Sequence, residues 1–248
     1  MYQGDQDFAT WLHDQGYQFE GRQFRLFGFS RLDLRPYDRR GDRMVMRGNH
    51  ASLQLGFALP ESGQHFLRGL FAEQTFPLGD QKTMVDFQVE SIELQPVPDW
   101  GNRSSPSSHA ETLRGGTKGP SSIYRASNPI CVSRPRPDGK ADYLHPDEPD
   151  YVERLYQNLM NKMQSYTLAV GGMAMPIPPY DPALFDLEIL SEPRSQLITI
   201  AVGTPRETEV RGYRYDFRLH CDPSWQEFVW NVGLGEKNSQ GFGFVEVR

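Results

Sequence analysis

The residues that could do chemistry near the end of the chain lie in one glycine-rich segment. Two pairs of glycines flank a lysine and three neutral hydrogen-bonding side chains. Glycine admits left-handed backbone conformations, and N–H groups exposed in such a turn form a concave site for anions. The segment therefore predicts contact with a phosphate or a sugar, without an obvious nucleophile. We call it the glycine loop, and its residues are Gly233, Gly235, Lys237, Asn238, Ser239, Gln240, Gly241 and Gly243.

Two common glycine motifs are excluded by what surrounds the glycine loop. A P-loop and a dinucleotide-binding fingerprint both follow a strand and open a helix. Here the glycines follow the predicted helix PSWQEFVWNV and precede the predicted strand GFGFVEV. The plainer interpretation is a helix C-cap followed by a tight turn and a bulge. One glycine would satisfy that interpretation, so four of them favour anion contact.

Near the start of the chain, His13 and Arg25 are the candidates for proton transfer and charge stabilisation. His13 follows Trp11-Leu12 and precedes Gly16, which places it at the C-terminal end of a short helix, where the dipole favours a protonated ring. Histidine transfers protons near neutral pH. Arg25 keeps its charge, so it would clamp a phosphate rather than act as a base. From the residues alone, a helix-capping histidine and an exposed strand arginine are the alternatives.

Charge is unevenly distributed along the chain. The net charge is −6, which argues mildly against nucleic acid, yet residues 22–47 carry eight arginines against three aspartates. Arg22 and Arg31 belong to this stretch and are candidates for phosphate contact, because the guanidinium fork suits phosphate. A solvated segment that keeps the protein soluble is the alternative interpretation.

Composition limits the class of protein. The chain has 248 residues and 12% aromatic residues, which is typical of a globular protein. It contains no apolar run long enough to cross a bilayer and no signal-peptide pattern, so we expect a cytoplasmic protein without membrane contact. Two cysteines and no metal-ligand spacing lead us to expect neither a structural metal nor a cofactor.

The predicted elements that position these residues fall into two similar sets. Residues 1–97 read as helix, strand, strand, helix, strand, and residues 123–248 read as βαββαβ. The Ser-, Gly- and Pro-rich segment 98–122 reads as a flexible linker. We therefore predict an α+β protein made of two tandem ferredoxin-like units. The first unit lacks its N-terminal strand, which would precede Met1. The fold alone does not decide the function.

Three segments of the chain resemble one family. GLGEKNSQGFG closely resembles the C-terminal glycine-rich loop of the CRISPR-associated endoribonucleases that cut precursor CRISPR RNA, which belong to the RAMP superfamily. FATWLHDQGY with FRLFGFS resembles the helix–loop–strand of that family. SNPICVSRP with YLHPDEPDYVERLYQNLMNKM resembles its strand and following helix. The resemblance covers nearly the whole chain.

The resemblance implies a function and a set of site residues. Such enzymes cleave repeat RNA without metal, by attack of a ribose 2′-hydroxyl, and leave 2′,3′-cyclic phosphate and 5′-hydroxyl ends. His13 matches the catalytic histidine, Arg25 stands where many members have lysine, and the glycine loop with Arg22 and Arg31 would contact RNA. The implied partners are CRISPR repeat RNA and subunits of an effector complex, with the chain as monomer or homodimer.

Two other functions stay open at the level of the sequence. A RAMP protein of the same architecture can hold guide RNA in an effector complex without cleaving it. A ferredoxin-like metabolic enzyme could use the glycine loop for a small anion. Cleavage and binding of RNA distinguish these functions.

Overall fold

The computed structural model describes residues 3–41, 43–73, 75–79, 83–100 and 120–248. Most of the predicted linker, 98–122, lies outside the described residues. In its described part, Trp100 is buried and its ring stacks on Tyr124 with 5.9 Å between centroids. The contact of Trp100 therefore anchors the end of the segment 83–100 against the second half of the chain.

The first half has the helices that its apolar spacing predicts, together with more strands than predicted. Phe8 of the first helix stacks on His65 of the second with ring centroids 4.3 Å apart, which packs the two helices together. The elements are α1 (Gln3–Asp14), β1 (Tyr17–Phe19), β2 (Arg22–Phe24), β3 (Phe27–Phe29), β4 (Tyr37–Arg40), β5 (Arg43–Met46), β6 (Leu55–Phe57), α2 (Pro60–Glu73), β7 (Thr75–Gly79) and β8 (Met84–Gln88).

One strand of the first half differs from the prediction. The sequence RQFRLFGFSRLDL predicts a single strand over residues 22–34 with a bulge at Gly28, but the structure breaks it earlier, between β2 and β3. Leu26 is buried and has a left-handed φ of +50°, which a continuous strand does not accommodate. The break separates the partners: β2 pairs with β1, and β3 pairs with β6.

The second half is a ferredoxin-like unit with two inserted hairpins, β10–β11 over residues 133–143 and β13–β14 over residues 194–214. Its sheet has the antiparallel order β12-β15-β9-β16, so the first strand of the unit lies between the third and the fourth. The elements are β9 (Ser121–Ala126), β10 (Ser133–Pro135), β11 (Ala141–Tyr143), α3 (Tyr151–Ala169), β12 (Asp186–Ile189), β13 (Arg194–Ile200), β14 (Thr208–Arg214), β15 (Asp216–His220), α4 (Pro223–Val232), a 3₁₀ turn (Asn238–Gln240) and β16 (Val245–Val247).

Helices α3 and α4 cover one face of this sheet. Tyr151 and Leu155, four residues apart on α3, are both fully buried. The Tyr151 and Tyr215 hydroxyls lie 2.7 Å apart, which ties the helix to the sheet. At the start of α4, the Asp222 carboxylate accepts a hydrogen bond of 2.8 Å from the Ser224 amide, as expected of an N-cap.

The predicted fold class is confirmed. The second half has the order βαββαβ, and the first half contains α1, β3, β6, α2 and β8, which is that order without its first strand. In the part of the first half that the structure describes, β8 pairs with β7 alone. No helix among the described residues is long and apolar enough to cross a membrane.

The two halves meet where a pair of glycines lies against the end of α4. Gly28 of β3 and Gly56 of β6 are register partners. A Cβ at Gly28 would lie 3.0 Å from the Val232 carbonyl oxygen, and a Cβ at Gly56 would fall on the carbonyl oxygen of Asn231. The contact between the halves therefore requires a bare backbone at this point of the small sheet.

A buried asparagine joins the halves a second time. The Asn128 side-chain nitrogen donates to the carbonyl oxygens of Phe29, at 2.9 Å, and Gly241, at 2.8 Å. Phe29 belongs to β3 and Gly241 to the glycine loop, so one amide group fixes the loop against the first half of the chain.

Gly56→Ala is expected to lower the free energy of unfolding by about 1–3 kcal/mol, because its methyl group meets a backbone carbonyl that cannot rotate away. Urea denaturation measures the change. Gly69→Ala is the matched control: it lies within α2 with open space around its Cβ, so it should stabilise the protein by up to about 1 kcal/mol. Equal effects at the two positions would contradict the close approach at Gly56.

Candidate functional site

A cleft of about 1170 Å³ lies between the two halves of the chain. Strands β1 to β3 form one wall, α3 forms another, and the glycine loop and the β10–β11 hairpin close the ends. Six basic and four acidic side chains line it, so the cleft is more basic than the acidic chain as a whole. Its charged residues are Arg22, Arg25, Lys140, Arg154, Lys162, Lys237, Glu20, Asp150, Glu153 and Glu236.

The wall from the first half alternates aromatic and basic residues. Arg22 is exposed, Arg25 is half-buried, and Phe24 lies between them along the chain. Phe19 and Phe27 line the same wall. Guanidinium groups and aromatic faces together suit a nucleic acid backbone and its bases. The predicted site residues Arg22 and Arg25 are thus brought to one surface, and the phenylalanines were not singled out from the sequence.

The glycine loop folds largely onto itself. The N–H groups of Leu234, Glu236 and Gly243 donate to backbone carbonyls of Gly243, Cys131 and Pro129. A side chain at Gly243, whose φ is +66°, would collide with the Leu234 carbonyl. These bonds shape the turn and leave fewer amides for a ligand than the sequence suggests.

The residues of the glycine loop divide into those that build it and those that line the cleft. Gly233, Gly235 and Gly243 are buried, and Gly241 is half-buried against the Phe29 ring. The loop residues that line the cleft run from Glu236 to Gln240 and include Lys237, Asn238 and Ser239. RNA contact by the four glycines stays a prediction. The cleft places Lys237 in the same space as Arg22 and Arg25.

A buried lysine on α3 holds the glycine loop in place. The Lys162 ammonium donates to the carbonyl oxygens of Gly235, at 2.6 Å, and Gly233, at 3.3 Å, and to Asn238 Oδ1, at 2.5 Å. Three protons on Nζ match these three acceptors. Burial lowers the pKa of Lys162 to about 7, and the nearby Glu236 carboxylate opposes this shift. The sequence analysis missed Lys162, because a single lysine within a helix carries no distinguishing pattern.

The Asn238 amide completes this network. Its side-chain nitrogen donates to the carbonyl oxygens of Leu234, at 3.2 Å, and Phe242, at 3.1 Å. Asn238 is buried, and its hydrogen bonds bridge the two glycine pairs. The sequence predicts that Asn238 contacts RNA. In the structure, its side-chain amide is hydrogen-bonded to Lys162 and to other residues of the glycine loop.

Two of the acidic residues in the cleft are hydrogen-bonded to neighbouring side chains. Hydrogen bonds from Arg134 and then Arg154 lower the pKa of Asp150 to about 2. The Glu236 carboxylate accepts from the Ser133 hydroxyl, at 2.8 Å, and from its amide, at 2.9 Å. Among the described residues, no group of three or more His, Cys, Asp and Glu side chains could hold a metal ion.

His13 and Arg31 stand apart from the residues that the cleft brings together. The backbone of His13 lies in the last turn of α1, as predicted, and its side chain lies outside what the structure describes. The chain continues into β1, where Tyr17 pairs with Phe24, the neighbour of Arg25. Arg31 is exposed and is not among the residues that line the cleft.

Arg31 belongs instead to a group of arginines around Arg214, the last residue of β14. Burial, followed by the charges of Arg31, Arg125 and Arg194, lowers the pKa of Arg214. Arg194 and Arg214 are register partners in the β13–β14 hairpin.

The wall formed by α3 carries neutral amides that the sequence analysis did not single out. Gln157, Asn158 and Asn161 line the cleft from this helix. The available signal was their spacing: Asn158, Asn161, Lys162 and Ser165 follow the i, i+3, i+4, i+7 pattern of one helical face, and this face is polar.

Comparison with protein families gives one match. Residues 116–247, more than half of the chain, match the model described as "CRISPR associated protein Cas6, C-terminal". No curated protein sequence matches the chain.

Comparison with solved structures gives the fold of the whole chain. The product of a Cas6-related gene from Pyrococcus furiosus has 16% sequence identity and a TM-score of 0.68, over 99% of this chain and 84% of that one. A RAMP protein described as binding different RNA substrates has 18% identity and a TM-score of 0.66, over 90% and 79%. A CRISPR-associated protein Cas6 has 20% identity and a TM-score of 0.63, over 100% and 92%. At these identities the matches show the fold, which is tandem ferredoxin-like.

The buried Lys162 should make stability depend on pH. Below about pH 7 both the folded and the unfolded chain hold its proton, so this group contributes no pH dependence there. Between about pH 7 and 10, the unfolded chain keeps a proton that the folded chain has released, so the free energy of unfolding rises with pH. The expected slope is at most about 1.4 kcal/mol per pH unit.

Urea denaturation at pH 7, 8 and 9 measures this slope. Lys162→Met removes the group and should flatten the rise, whereas Lys140→Met, which removes an exposed lysine of the same cleft, should keep it. A slope unchanged by Lys162→Met would show that the lysine is not the titrating group.

Proposed function

Because this chain belongs to the CRISPR-associated Cas6 family, we propose that it is an endoribonuclease that cuts precursor CRISPR RNA within its repeats and so generates guide RNAs. The observation that carries the proposal is the cleft, which brings Arg22 and Arg25 of the first half together with Lys237, Ser239 and Gln240 of the glycine loop. In the sequence, the two arginines are more than two hundred positions away from the three residues of the glycine loop.

The shape and charge of the cleft support a sugar-phosphate chain as its ligand. Cations from both halves would neutralise successive phosphates, and each neutralised phosphate releases counterions. The Ser239 and Gln240 side chains are neutral, and both can donate hydrogen bonds to phosphate or ribose oxygens. The acidic remainder of the protein would repel RNA elsewhere.

The proposed reaction is a transesterification within one RNA strand. A general base removes the proton of a ribose 2′-hydroxyl, and the 2′-oxygen attacks the adjacent phosphorus. The bond from phosphorus to the 5′-oxygen breaks, and a general acid protonates that oxygen. The products are a 2′,3′-cyclic phosphate and a 5′-hydroxyl end, and no metal is required.

The roles of individual residues follow from their chemistry and placement. His13, in the last turn of α1, would transfer a proton, since imidazole does so near neutral pH. Arg25 would stabilise the negative charge on the phosphoryl oxygens in the transition state, because its guanidinium stays charged. Lys237, Ser239 and Gln240 would hold the RNA from the glycine loop, which lines the same cleft.

His13→Ala should reduce the rate of single-turnover cleavage by about 10²–10⁴-fold while keeping RNA binding, because proton transfer contributes about that factor. The assay uses the CRISPR repeat RNA of the source organism, in EDTA, with analysis of the cyclic-phosphate end. His50→Ala is the matched control, since His50 is exposed and paired with Glu90 at 2.8 Å.

Three results would change the proposal. Binding without cleavage by the unmodified protein would assign it to the non-catalytic RAMP proteins that hold guide RNA. Loss of cleavage in EDTA would contradict the metal-independent reaction. Failure to bind RNA at low salt would exclude both RNA functions and favour a small anion as the ligand.

The plot of log affinity against log salt concentration has a negative slope. Arg22→Ala and Lys237→Ala should each make this slope less steep by about one, because each removes one phosphate contact. Filter binding of the repeat RNA at several salt concentrations measures the slope. Arg206→Ala, an exposed arginine outside the cleft, should leave it unchanged. If all three variants have the slope of the unmodified protein, the RNA does not bind in this cleft.

A further inference from the structure

The two long walls of the cleft differ in chemistry. The wall from β1 to β3 presents guanidinium groups and phenyl rings. Helix α3 presents the carboxamides of Gln157, Asn158 and Asn161, together with one carboxylate and one guanidinium group, those of Glu153 and Arg154. A carboxamide has no charge, so it adds little to the attraction of a polyanion. It does offer a donor and an acceptor side by side, which is the pattern that the edge of a nucleobase also offers.

One of these amides lacks a hydrogen bond that it could make. The Asn158 Oδ1 atom is buried and has no partner in the structure. A buried carbonyl oxygen without a donor costs stability, and native proteins seldom keep one. The cost is recovered if the whole side chain changes rotamer and brings this oxygen to a donor that has entered the cleft.

The neighbouring Asn161 is a second buried amide of α3 that lines the cleft. It is only 7% exposed, yet it lines the cleft one helical turn away from Asn158 and Gln157. Three amides within five residues of one helix thus lie together on the cleft surface.

We propose that the α3 wall reads the sequence of the RNA, with Gln157, Asn158 and Asn161 as its specificity-determining residues. The inference rests on the proposed function and adds to it which wall meets the bases. In this arrangement Arg22 and Arg25 take the phosphates of a single-stranded segment, and its bases turn toward α3.

Single-stranded RNA suits this arrangement better than a duplex does. Specific proteins usually recognise unstacked bases, which stack on aromatic rings and bond through their edges. Phe19 lines the cleft beside the arginines and offers such a ring. The amides across the cleft then receive the Watson–Crick edges.

Asn158→Leu tests the proposal, since leucine keeps the volume of the side chain and removes the unpaired oxygen. The probe is a pool of single-stranded 20-nucleotide RNAs of random sequence, and the bound fraction is sequenced. The unmodified protein should enrich particular bases at a few positions, and Asn158→Leu should lower the preference at one or two of them by about tenfold. Its salt slope should equal that of the unmodified protein, and its melting temperature should be equal or higher.

Gln88→Leu is the matched control, because Gln88 is an exposed amide of β8 outside the cleft. It should keep the full base preference. If Asn158→Leu fails to fold, Gln157→Ala on the same wall is tested by the same readout, and loss of base preference at unchanged salt slope again supports the proposal.

The outcomes separate this inference from the proposed function. An unmodified protein that binds no RNA of the pool at low salt overturns the proposed function. An unmodified protein that binds the pool without enriching any base, or variants with an undiminished preference, overturn the base-reading role alone.

Discussion

A single buried ammonium group determines the conformation of the turn that ends the second ferredoxin-like unit. Lys162 reaches from α3 to two carbonyl oxygens and one side-chain oxygen of the glycine loop. Because these groups are removed from water, leaving any of them without a partner would cost free energy. The loop is therefore held at one distance from α3, and the residues between its glycines face the cleft.

The width of the cleft depends on a second constraint, the contact between the halves. A glycine pair in β3 and β6 lets that small sheet lie directly against the end of α4, and Asn128 ties β3 to the glycine loop. Arg22 and Arg25 are joined to β3 by Leu26, at which the chain turns. Their position relative to Lys237 thus follows from backbone contacts rather than from the charged side chains themselves.

In the proposed function, the cleft would separate two tasks that RNA recognition requires. The basic side chains of β1 to β3 and of the glycine loop would attract the backbone of any RNA, and the amides of α3 would distinguish bases. The overall charge of −6 is consistent with this division, because it limits attraction elsewhere on the surface. Ion pairs with Arg134 and Arg154 offset the charge of Asp150, and hydrogen bonds from Ser133 hold the Glu236 carboxylate in place.

The sequence by itself determined the four helices, the βαββαβ order of the second half and the family. The apolar spacing of α1, α2, α3 and α4 predicts helices that the structure contains, and the glycine loop lies between α4 and β16 as expected. Local patterns suffice for these features, since helix periodicity and glycine conformations depend on neighbours in the chain.

Only the tertiary structure decided which residues meet. It buries the glycines that the sequence offered to a ligand, gives the Asn238 amide to the loop, and leaves Arg31 outside the cleft. It also brings Lys162 and the α3 amides into the site. The physical reason is that hydrogen bonds and burial between distant segments depend on how the two halves pack, and no local pattern in the sequence encodes that packing.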